Sequence, residues 1–305
     1  MKAVVYQQYG PPEVLKQVEV EKPSPKENEI LVKVHATSVT SGDVRLRSSD
    51  FPALFWLPAR LIFGLFKPKR KILGHEFAGV VEAKGAKVTQ FQIGDSVFGT
   101  TTLLREGSYA EYVCIPEAWK KGVIAQKPDN LDFHTAAVLP IGAMTALFLL
   151  EKGNAQSGEK LLIYGASGSV GSYAVQIAKS MGLEVTAICS GKNMDMVKSL
   201  GADHALDYTQ QDYSQLDQQY VMVFDAVGKT NKRKAQNVLL RNGRFVSVKM
   251  LTKEKTEHLL RIKALAEEKK IRPFIDRSFP LEDLVQAHRY VDTARKRGNV
   301  VVTVV

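Results

Sequence analysis

Three glycines, each three positions after the last, separate a short apolar segment from a longer one in the stretch LLIYGASGSVGSYAVQIAK. The first segment is typical of a buried β-strand, and the second carries apolar residues at helical spacing. In such a loop Gly165 permits the tight turn, Gly168 a close backbone approach to a pyrophosphate, and Gly171 helix–strand packing. The helix N-terminus offers unpaired N–H groups to phosphate oxygens. The loop predicts a dinucleotide site, and a glycine turn that serves packing alone is the alternative.

Short apolar segments and helical segments alternate from this loop onward, which predicts an α/β fold with a parallel, doubly wound sheet. Strands are expected at KLLIYG, LEVTAICS, ADHALDY, YVMVFDAVG and GRFVSV, and one intervening helix is expected over residues 229–240. The first third of the chain instead has the pattern of β-structure punctuated by glycine, proline and aspartate. We therefore predict a β-rich domain over residues 1–126, completed by residues 272–305, and a dinucleotide-binding domain over residues 127–271.

The end of the second strand of the α/β domain selects between NADH and NADPH. An NADH site needs a carboxylate there, about 20 residues past the loop, to bind the ribose 2′-hydroxyl group. The strand instead ends in SGKN, whose Ser190 and Lys192 suit a 2′-phosphate. The sequence therefore predicts NADPH as the cofactor, and a solvated lysine in a first helical turn is the alternative for Lys192.

The chain of 305 residues has a formal net charge of +10, with basic clusters at KPKRK, NKRK and RKR. Such a field suits nucleic acid, an acidic membrane face or a phosphorylated small molecule, and a solvated basic surface is the plainer interpretation. No RNA-binding module or basic strip interleaved with aromatic residues is visible, so a nucleic-acid partner is not expected. The two cysteines, Cys114 and Cys189, each lie in an apolar segment, which fits reduced core thiols and a cytoplasmic location.

The most apolar segment, FPALFWLPARLIFGLF, covers residues 51–66. It is too short, and too interrupted by prolines and by Arg60, to span a bilayer, so no membrane span is expected. Interpreted as a loop, the segment is a candidate for an apolar substrate lid, a self-packed segment or a dimer surface.

A set of motifs occurs in order along essentially the whole chain: GHEFAGVVEAKGAKVTQFQIGDSVFG, EGSYAEY, LPIGAMTAL, GASGSVG, FDAVG and RKRGNVVVTV. In these motifs the chain resembles the zinc-free, quinone oxidoreductase-like branch of the medium-chain dehydrogenase/reductase superfamily. The resemblance implies a GroES-like β-rich domain, a Rossmann domain, and NADPH in a cleft between the two. It also implies a homodimer formed through edge strands of the Rossmann domains.

Matched residue by residue, the resemblance implies cofactor contacts in several groups. They are the glycine loop for the pyrophosphate (Gly165, Ser167, Gly168, Ser169, Val170 and Gly171), the 2′-phosphate side (Ser190, Lys192 and Tyr208), the ribose side (Ala226, Val227 and Gly228), the nicotinamide side (Thr145 and Val248), and Asn299. Asn299 would close the cleft at a position where the family often carries a lysine. For Tyr208, a strand-end tyrosine that caps the core is the alternative.

The zinc-dependent relatives take their metal ligands from three places: a cysteine in a C-G-x-D stretch, the histidine and glutamate of GHE, and a second cysteine before a G-x-x-T helix. This chain has His75 and Glu76, but Thr40 and Ile141 occupy the two thiol positions. A zinc site needs three or four ligands that converge on one point. The sequence therefore predicts that no metal is bound.

Without a metal, hydride delivery and substrate positioning must carry the reaction. A quinone or α,β-unsaturated carbonyl accepts a hydride with little Lewis-acid help, whereas a simple carbonyl needs polarisation. We therefore predict an NADPH-dependent reductase of a quinone, enal or enone, with the candidate catalytic residues Asp43, Thr145, Thr40 and Arg45. For Asp43, an ion pair with Arg45 or Arg47 is the alternative. The competing functions are a metal-free alcohol dehydrogenase or carbonyl reductase, and a recruited non-enzyme that binds nucleic acid.

Overall fold

The computed structural model describes residues 1–305, apart from the side chain of Leu54. Its strands are β1 (Lys2–Val5), β2 (Lys16–Glu19), β3 (Glu29–Ser38), β4 (Glu76–Lys84), β5 (Ser96–Thr100), β6 (Tyr112–Pro116), β7 (Ile124–Gln126), β8 (Lys160–Tyr164), β9 (Glu184–Cys189), β10 (His204–Asp207), β11 (Tyr220–Asp225), β12 (Leu239–Ser247), β13 (Ile275–Pro280) and β14 (Asn299–Thr303). Its α-helices are α1 (Ser41–Ser48), α2 (Ala53–Phe63), α3 (Phe133–Ala137), α4 (Pro140–Gly153), α5 (Ser169–Ser180), α6 (Met194–Ser199), α7 (Lys232–Ala235), α8 (Thr256–Glu267) and α9 (Leu284–Asp292).

The chain divides into two compact units, the first made of Met1–Ile141 with Ile275–Val305 and the second of Gly142–Phe274. The sequence analysis assigns residues 127–141 to the second domain, whereas the structure groups them with the first unit. The reason is that α3 packs against the central strands β3 and β4 of the first unit.

The first unit is built on a seven-stranded sheet in the order β13–β14–β3–β4–β5–β7, with β6 also pairing to β3. The strand β3 is antiparallel to β4, β6 and β14. Its alternate residues Ile30, Val32 and Val34 point to one face, where they share a buried core with Phe77. A second core includes Leu284 and other residues on one face of α9. The glutamate of the GHE motif, Glu76, is the first residue of β4 in this sheet.

The second unit is a five-stranded parallel sheet in the order β10–β9–β8–β11–β12. The first strand of this sheet, β8, lies at its centre, and β9 and β10 follow on one side of it. The chain then crosses back, so that β11 and β12 lie on the other side of β8. This is a doubly wound arrangement, in which ligands bind beyond the carboxyl ends of the strands where the order reverses. The fully buried run Leu161, Leu162 and Ile163 fits a strand covered on both faces. The predicted α/β class is confirmed.

Two segments differ from the prediction. The helix expected over residues 229–240 is reduced to the four residues of α7, because β12 begins at Leu239 and pairs there with Tyr220. Residues 51–66, expected as a loop, contain the helix α2, which accommodates Pro58 in its interior. Across the described residues, no helix is both long enough and apolar enough to cross a membrane.

Candidate functional site

The glycine loop links β8 to α5 at the carboxyl edge of the parallel sheet. Gly165 has a φ of +79°, a conformation that glycine adopts without strain. A Cβ atom on Gly171 would lie 2.3 Å from the carbonyl oxygen of Gly165 and 2.7 Å from the Cα atom of Ala166, so a side chain there would push the helix away. A Cβ atom on Gly168 would approach the described protein atoms no closer than 3.6 Å. Packing therefore does not require glycine at 168, and the open space at the N-terminus of α5 fits a phosphate group.

Asn193 lies beside this loop and was not among the residues singled out from the sequence. Its Nδ2 atom donates to Oγ of Ser167 at 3.0 Å, which fixes the serine next to the glycines. Its Oδ1 atom is buried and has no hydrogen-bond partner among the described residues. A buried acceptor without a donor costs about 1–3 kcal/mol, so this oxygen is poised to accept a hydrogen bond from a ligand or water.

The side proposed for the 2′-phosphate is formed by the carboxyl ends of β9 and β10. Ser190 and the exposed Lys192 follow β9, and Tyr208 follows β10, where its N–H donates to the carbonyl oxygen of Cys189 at 3.1 Å. The Tyr208 side chain is 53% exposed, so the alternative in which it caps the core is wrong. The three expected residues therefore lie at neighbouring strand ends.

The fold also brings a carboxylate, Asp207, to this place. A Cβ atom on Gly191 would lie 2.5 Å from Oδ2 of Asp207, and Oδ1 accepts hydrogen bonds from the N–H and Oγ1 of Thr209 at 2.9 and 2.8 Å. The backbone hydrogen bond from Thr209 is the main reason that the pKa of Asp207 lies below its ordinary value. The SGKN segment itself contains no carboxylate, because this one comes from the next strand. A basic side chain, Lys192, and an acidic one, Asp207, thus lie at the carboxyl ends of two neighbouring strands.

Asp225, at the end of β11, shapes the segment that carries Ala226 and Val227. Its fully buried carboxylate accepts the N–H groups of Val227 and Gly228 at 3.2 and 2.9 Å and the hydroxyl of Ser247 at 3.0 Å. The Val227 side chain lies against Gly165, since a Cβ atom built on Gly165 would be only 2.5 Å from Cγ1 of Val227. The expected ribose residue Val227 therefore lies beside the glycine loop. A carboxylate at the end of a buried apolar segment was the sequence signal that could have revealed Asp225.

The remaining expected residues are distributed over both units. Val248 follows β12, with its N–H bonded to the carbonyl oxygen of Asp225 at 3.0 Å. Thr145 is a partly buried residue of α4. Asn299, in contrast, is buried at the start of β14 in the first unit, which also contains Thr40, Asp43 and Arg45.

In the first unit, Thr40 and Asp43 form a capping box at the start of α1. The Oγ1 atom of Thr40 accepts the N–H of Asp43 at 3.1 Å, and Oδ2 of Asp43 accepts the N–H of Thr40 at 2.9 Å. The other carboxylate oxygen accepts the N–H of Gly74 at 3.0 Å and lies 2.7 Å from Nδ1 of His75. Asp43 is completely buried, and its carboxylate fixes the orientation of the His75 ring.

Burial alone would raise the pKa of Asp43. The adjacent His75 and the hydrogen bonds from His75 and Thr40 outweigh that effect and hold the pKa of this carboxyl well below its ordinary value. Arg47, only 2% exposed, binds Asp292 at 3.0 Å and lies 3.1 Å from Nδ1 of His288, and Arg45 lies on the exposed side of α1. The alternative in which Asp43 pairs with Arg45 or Arg47 is therefore wrong.

Glu76 is buried at the start of β4 and has two hydrogen-bond donors. The Ser38 hydroxyl lies 2.5 Å from Oε1, and the backbone N–H of Ile141 lies 2.7 Å from Oε2. Burial raises the pKa of Glu76 to about 7, although these donors and the nearby Lys296 lower it. Burial also lowers the pKa of Lys296 to about 8, and Glu76 opposes that shift. Glu76 and Lys296 therefore each favour the charged form of the other, while the Lys296 ammonium donates to the carbonyl oxygen of Gly298 at 2.8 Å.

Two family models match the chain: the alcohol dehydrogenase GroES-like domain over residues 26–129 and the zinc-binding dehydrogenase domain over residues 169–291. The 2-methylene-furan-3-one reductase of Solanum lycopersicum is 32% identical over 99% of this chain and 79% of its own length. The chloroplastic NADPH-dependent alkenal/one oxidoreductase of Arabidopsis thaliana is 31% identical over the same shares. The structure of the quinone oxidoreductase from Coxiella burnetii matches with a TM-score of 0.85 and 30% identity, covering 100% of this chain and 99% of that one.

The chain belongs to the quinone oxidoreductase-like family of medium-chain dehydrogenases/reductases. The resemblance stated from the motifs is thereby confirmed, and so is the combination of a GroES-like and a Rossmann domain. The chain is an oxidoreductase, and its relatives support a nicotinamide cofactor.

The zinc positions of this medium-chain dehydrogenase/reductase do not fit a metal. Among the described residues, no three His, Cys, Asp or Glu side chains come together as a metal site. Thr40 bonds to Asp43, and Ile141 contributes its backbone N–H to Glu76. His75 directs its Nδ1 atom to Asp43. The two thiol positions therefore supply no sulfur ligand, because the Thr40 hydroxyl is engaged with Asp43 and the Ile141 side chain has no ligand atom.

Proposed function

We propose that this medium-chain dehydrogenase/reductase uses NADPH, without zinc, to reduce a quinone or an α,β-unsaturated carbonyl compound. The observation that carries the proposal is the pair of residues at the two thiol positions: the Thr40 hydroxyl donates to Asp43, and the Ile141 side chain has no ligand atom. A conjugated acceptor suits such a site because it needs little polarisation by a Lewis acid. The relatives named as an alkenal/one oxidoreductase and as quinone oxidoreductases support the same substrate classes.

For the cofactor, the glycine loop and the N-terminus of α5 would hold the pyrophosphate, and Asn193 Oδ1 would accept a hydrogen bond from a hydroxyl group of the cofactor or from water. Ser190, Lys192 and Tyr208 would surround the 2′-phosphate. The proposed ribose and nicotinamide contacts are Ala226, Val227, Val248, Thr145 and Asn299. When bound, the nicotinamide supplies the hydride that reduces the substrate.

We assign the proton-donating role to His75. Asp43 accepts the hydrogen on Nδ1, so the ring orientation is fixed and Nε2 is the atom that can release a proton. The His75 side chain is 15% exposed, whereas Asp43 has no exposed surface. His75 would protonate the oxygen or carbon on which negative charge develops when the substrate is reduced, and Asp43 would stabilise the charged imidazolium that precedes this step.

We also propose a homodimer and a cytoplasmic location. The edge strand β12 could pair with the same strand of a second copy and so extend the sheet. Both cysteines are free, Cys189 buried and Cys114 half-buried, and burial raises the pKa of each thiol to about 11, which fits reduced, unreactive thiols.

The proposal is tested with purified protein and a panel of acceptors. NADPH consumption is measured with a quinone, an enone and a simple saturated aldehyde. We expect turnover of the quinone or the enone and little turnover of the aldehyde. Turnover of the aldehyde alone would instead identify an alcohol dehydrogenase or carbonyl reductase.

A further inference from the structure

The helix α2 and the residues directly after it present an apolar surface to solvent. Phe55 is 60% exposed, Leu61 58%, Ile62 59% and Phe66 87%. Soluble monomeric proteins rarely expose a contiguous apolar patch of this kind unless it binds something. We call it the α2 surface, made of the exposed apolar side chains Phe55, Trp56, Leu57, Leu61, Ile62, Leu65 and Phe66 together with Lys67, Lys69 and Lys71.

The inner side of this segment is firmly attached to the first unit. The Arg60 guanidinium stacks over the ring of Tyr9 at 3.9 Å and donates to Oγ of Ser49 at 3.1 Å. The Tyr9 hydroxyl donates to the carbonyl oxygen of Gly64 at 2.8 Å, and Phe63 stacks on Phe51 with ring centroids 6.0 Å apart. These contacts hold the opposite, apolar side of α2 outward, so its exposure belongs to the folded structure.

The segment is also strongly basic. Between Asp50 and Glu76 the sequence contains no acidic residue, but it contains Arg60 and the cluster KPKRK over residues 67–71. Lys67, Lys69 and Lys71 are exposed beside the apolar side chains. Arg70 instead turns inward and donates to the carbonyl oxygens of Ile72 and Gly74 at 2.8 and 2.9 Å. The surface therefore combines apolar contact area with three exposed lysines, of which Lys69 also donates to the carbonyl oxygen of Leu61 at 2.9 Å.

This combination selects among possible partners. A second copy of the chain would bring two basic segments face to face, and a single small molecule is too small to cover seven large side chains. An anionic bilayer surface provides what the segment lacks: an acyl boundary for aromatic and aliphatic groups and negative headgroups for lysines. With 11 residues, α2 is too short to cross the bilayer and suits a position within its interface.

We propose that the α2 surface docks this protein on an anionic lipid bilayer. The apolar side chains of α2 insert at the boundary between headgroups and acyl chains, and the three lysines contact the headgroups. This inference concerns a binding surface and does not rest on the proposed substrate class.

The two tryptophans of the chain permit a direct test. In a Trp119→Phe background the remaining tryptophan, Trp56, reports on the α2 surface. Vesicles of phosphatidylcholine alone and of phosphatidylcholine mixed with phosphatidylserine are added to the full chain, and binding is measured by co-sedimentation and by tryptophan emission. We expect binding to the anionic vesicles, a blue shift of the Trp56 emission, and weaker binding at high salt.

Matched variants separate the α2 surface from the overall positive charge. Replacing Lys67, Lys69 and Lys71 together by glutamine should weaken binding roughly 100-fold, at about 1 kcal/mol for each charge. The control replaces three exposed basic residues elsewhere, Lys120, Lys121 and Lys232, by glutamine and should retain most of the affinity. A Leu61→Ser, Ile62→Ser variant should lose the emission shift.

Equal losses in the lysine variant and its control would overturn the proposal, because binding would then reflect net charge alone. Absence of binding to anionic vesicles would also overturn it. If sedimentation equilibrium then showed a dimer that the Leu61→Ser, Ile62→Ser variant abolished, the surface would belong to a second copy. Unfolding curves for every variant establish that the folded state is retained.

Discussion

The Nδ1 atom of His75 lies 2.7 Å from Oδ1 of Asp43, a carboxylate that the fold buries completely. The same carboxylate caps α1 through Thr40 and accepts the N–H of Gly74. One buried charge thus fixes the start of a helix, the loop before β4 and the orientation of the imidazole. The network thereby orients the histidine of the GHE motif.

Replacing Asp43 by asparagine should lower the free energy of unfolding by about 3 kcal/mol, because charge-assisted hydrogen bonds are lost in a buried place. Since the pKa of Asp43 in the folded protein lies below the ordinary 3.8, its contribution is present above that pH and declines as the pH falls further. Urea unfolding at neutral pH measures the change. The exposed neighbour Asp50→Asn is the control and should change stability by less than about 0.5 kcal/mol.

Glu76 should make stability depend on pH between its ordinary pKa of 4.5 and its folded pKa of about 7. The folded state binds this proton more tightly than the unfolded state, so the stabilisation is present below pH 4.5 and is lost as the pH rises through 7. The unfolding free energy of the wild type minus that of Glu76→Gln should fall by about 3 kcal/mol across this window. Subtracting one unfolding free energy from the other removes the contributions of titrating groups that both proteins share, such as His288.

Urea unfolding of both proteins at several pH values checks this prediction. The exposed Glu27→Gln is the control, and its difference from the wild type should stay flat. A flat difference for Glu76→Gln as well would mean that Glu76 is ionised throughout this range.

The glycine loop offers a matched pair of variants. Gly171→Ala should destabilise the fold by about 2 kcal/mol, because the new Cβ atom would lie 2.3 Å from the carbonyl oxygen of Gly165. Gly168→Ala has room in the protein and should leave the stability within about 0.5 kcal/mol of the wild type. It should nevertheless weaken NADPH binding about 10-fold or more, measured by calorimetric titration. Unchanged NADPH affinity in Gly168→Ala would place the phosphates elsewhere.

Cofactor choice should respond to two charges at the ends of neighbouring strands. Lys192→Ala should weaken NADPH binding about 10-fold and NADH binding much less, because a charge-assisted contact to the 2′-phosphate is removed. Asp207→Asn should shift the preference further toward NADPH by removing a nearby negative charge. Dissociation constants for both cofactors test this, with the exposed Lys198→Ala as control. If Lys192→Ala weakened the binding of NADPH and NADH equally, Lys192 would not be a contact of the 2′-phosphate.

Most strands and turns of the second unit could be predicted because each is specified by a short stretch of sequence. Buried runs such as Leu161–Ile163 specify strands, and the glycine spacing specifies the turn into α5. The segment after β11 was less predictable, because the pairing of Leu239 with Tyr220 starts β12 early and shortens the helix before it. The α2 segment was misjudged because its prolines suggest a loop, although Pro52 precedes the helix and one turn tolerates Pro58.

The candidate site was predictable only where its residues follow strand ends in sequence. The contact between Asp43 and His75 joins positions 32 residues apart and requires the sheet of the first unit. Asp207 comes close to Gly191 because β10 pairs with β9 in the register that places Asp207 opposite Cys189. The unpaired Oδ1 atom of Asn193 likewise depends on burial by the folded loop. Such relationships arise from tertiary packing and leave no local pattern.

The central claim, reduction of a conjugated acceptor without zinc, is tested most directly by one assay. The rate of NADPH oxidation with an enone or a quinone is measured before and after removal of metal by a chelator, with the bound metal quantified in the same samples. We expect the same rate in metal-free protein. Loss of turnover on chelation, restored by stoichiometric zinc, would contradict the claim.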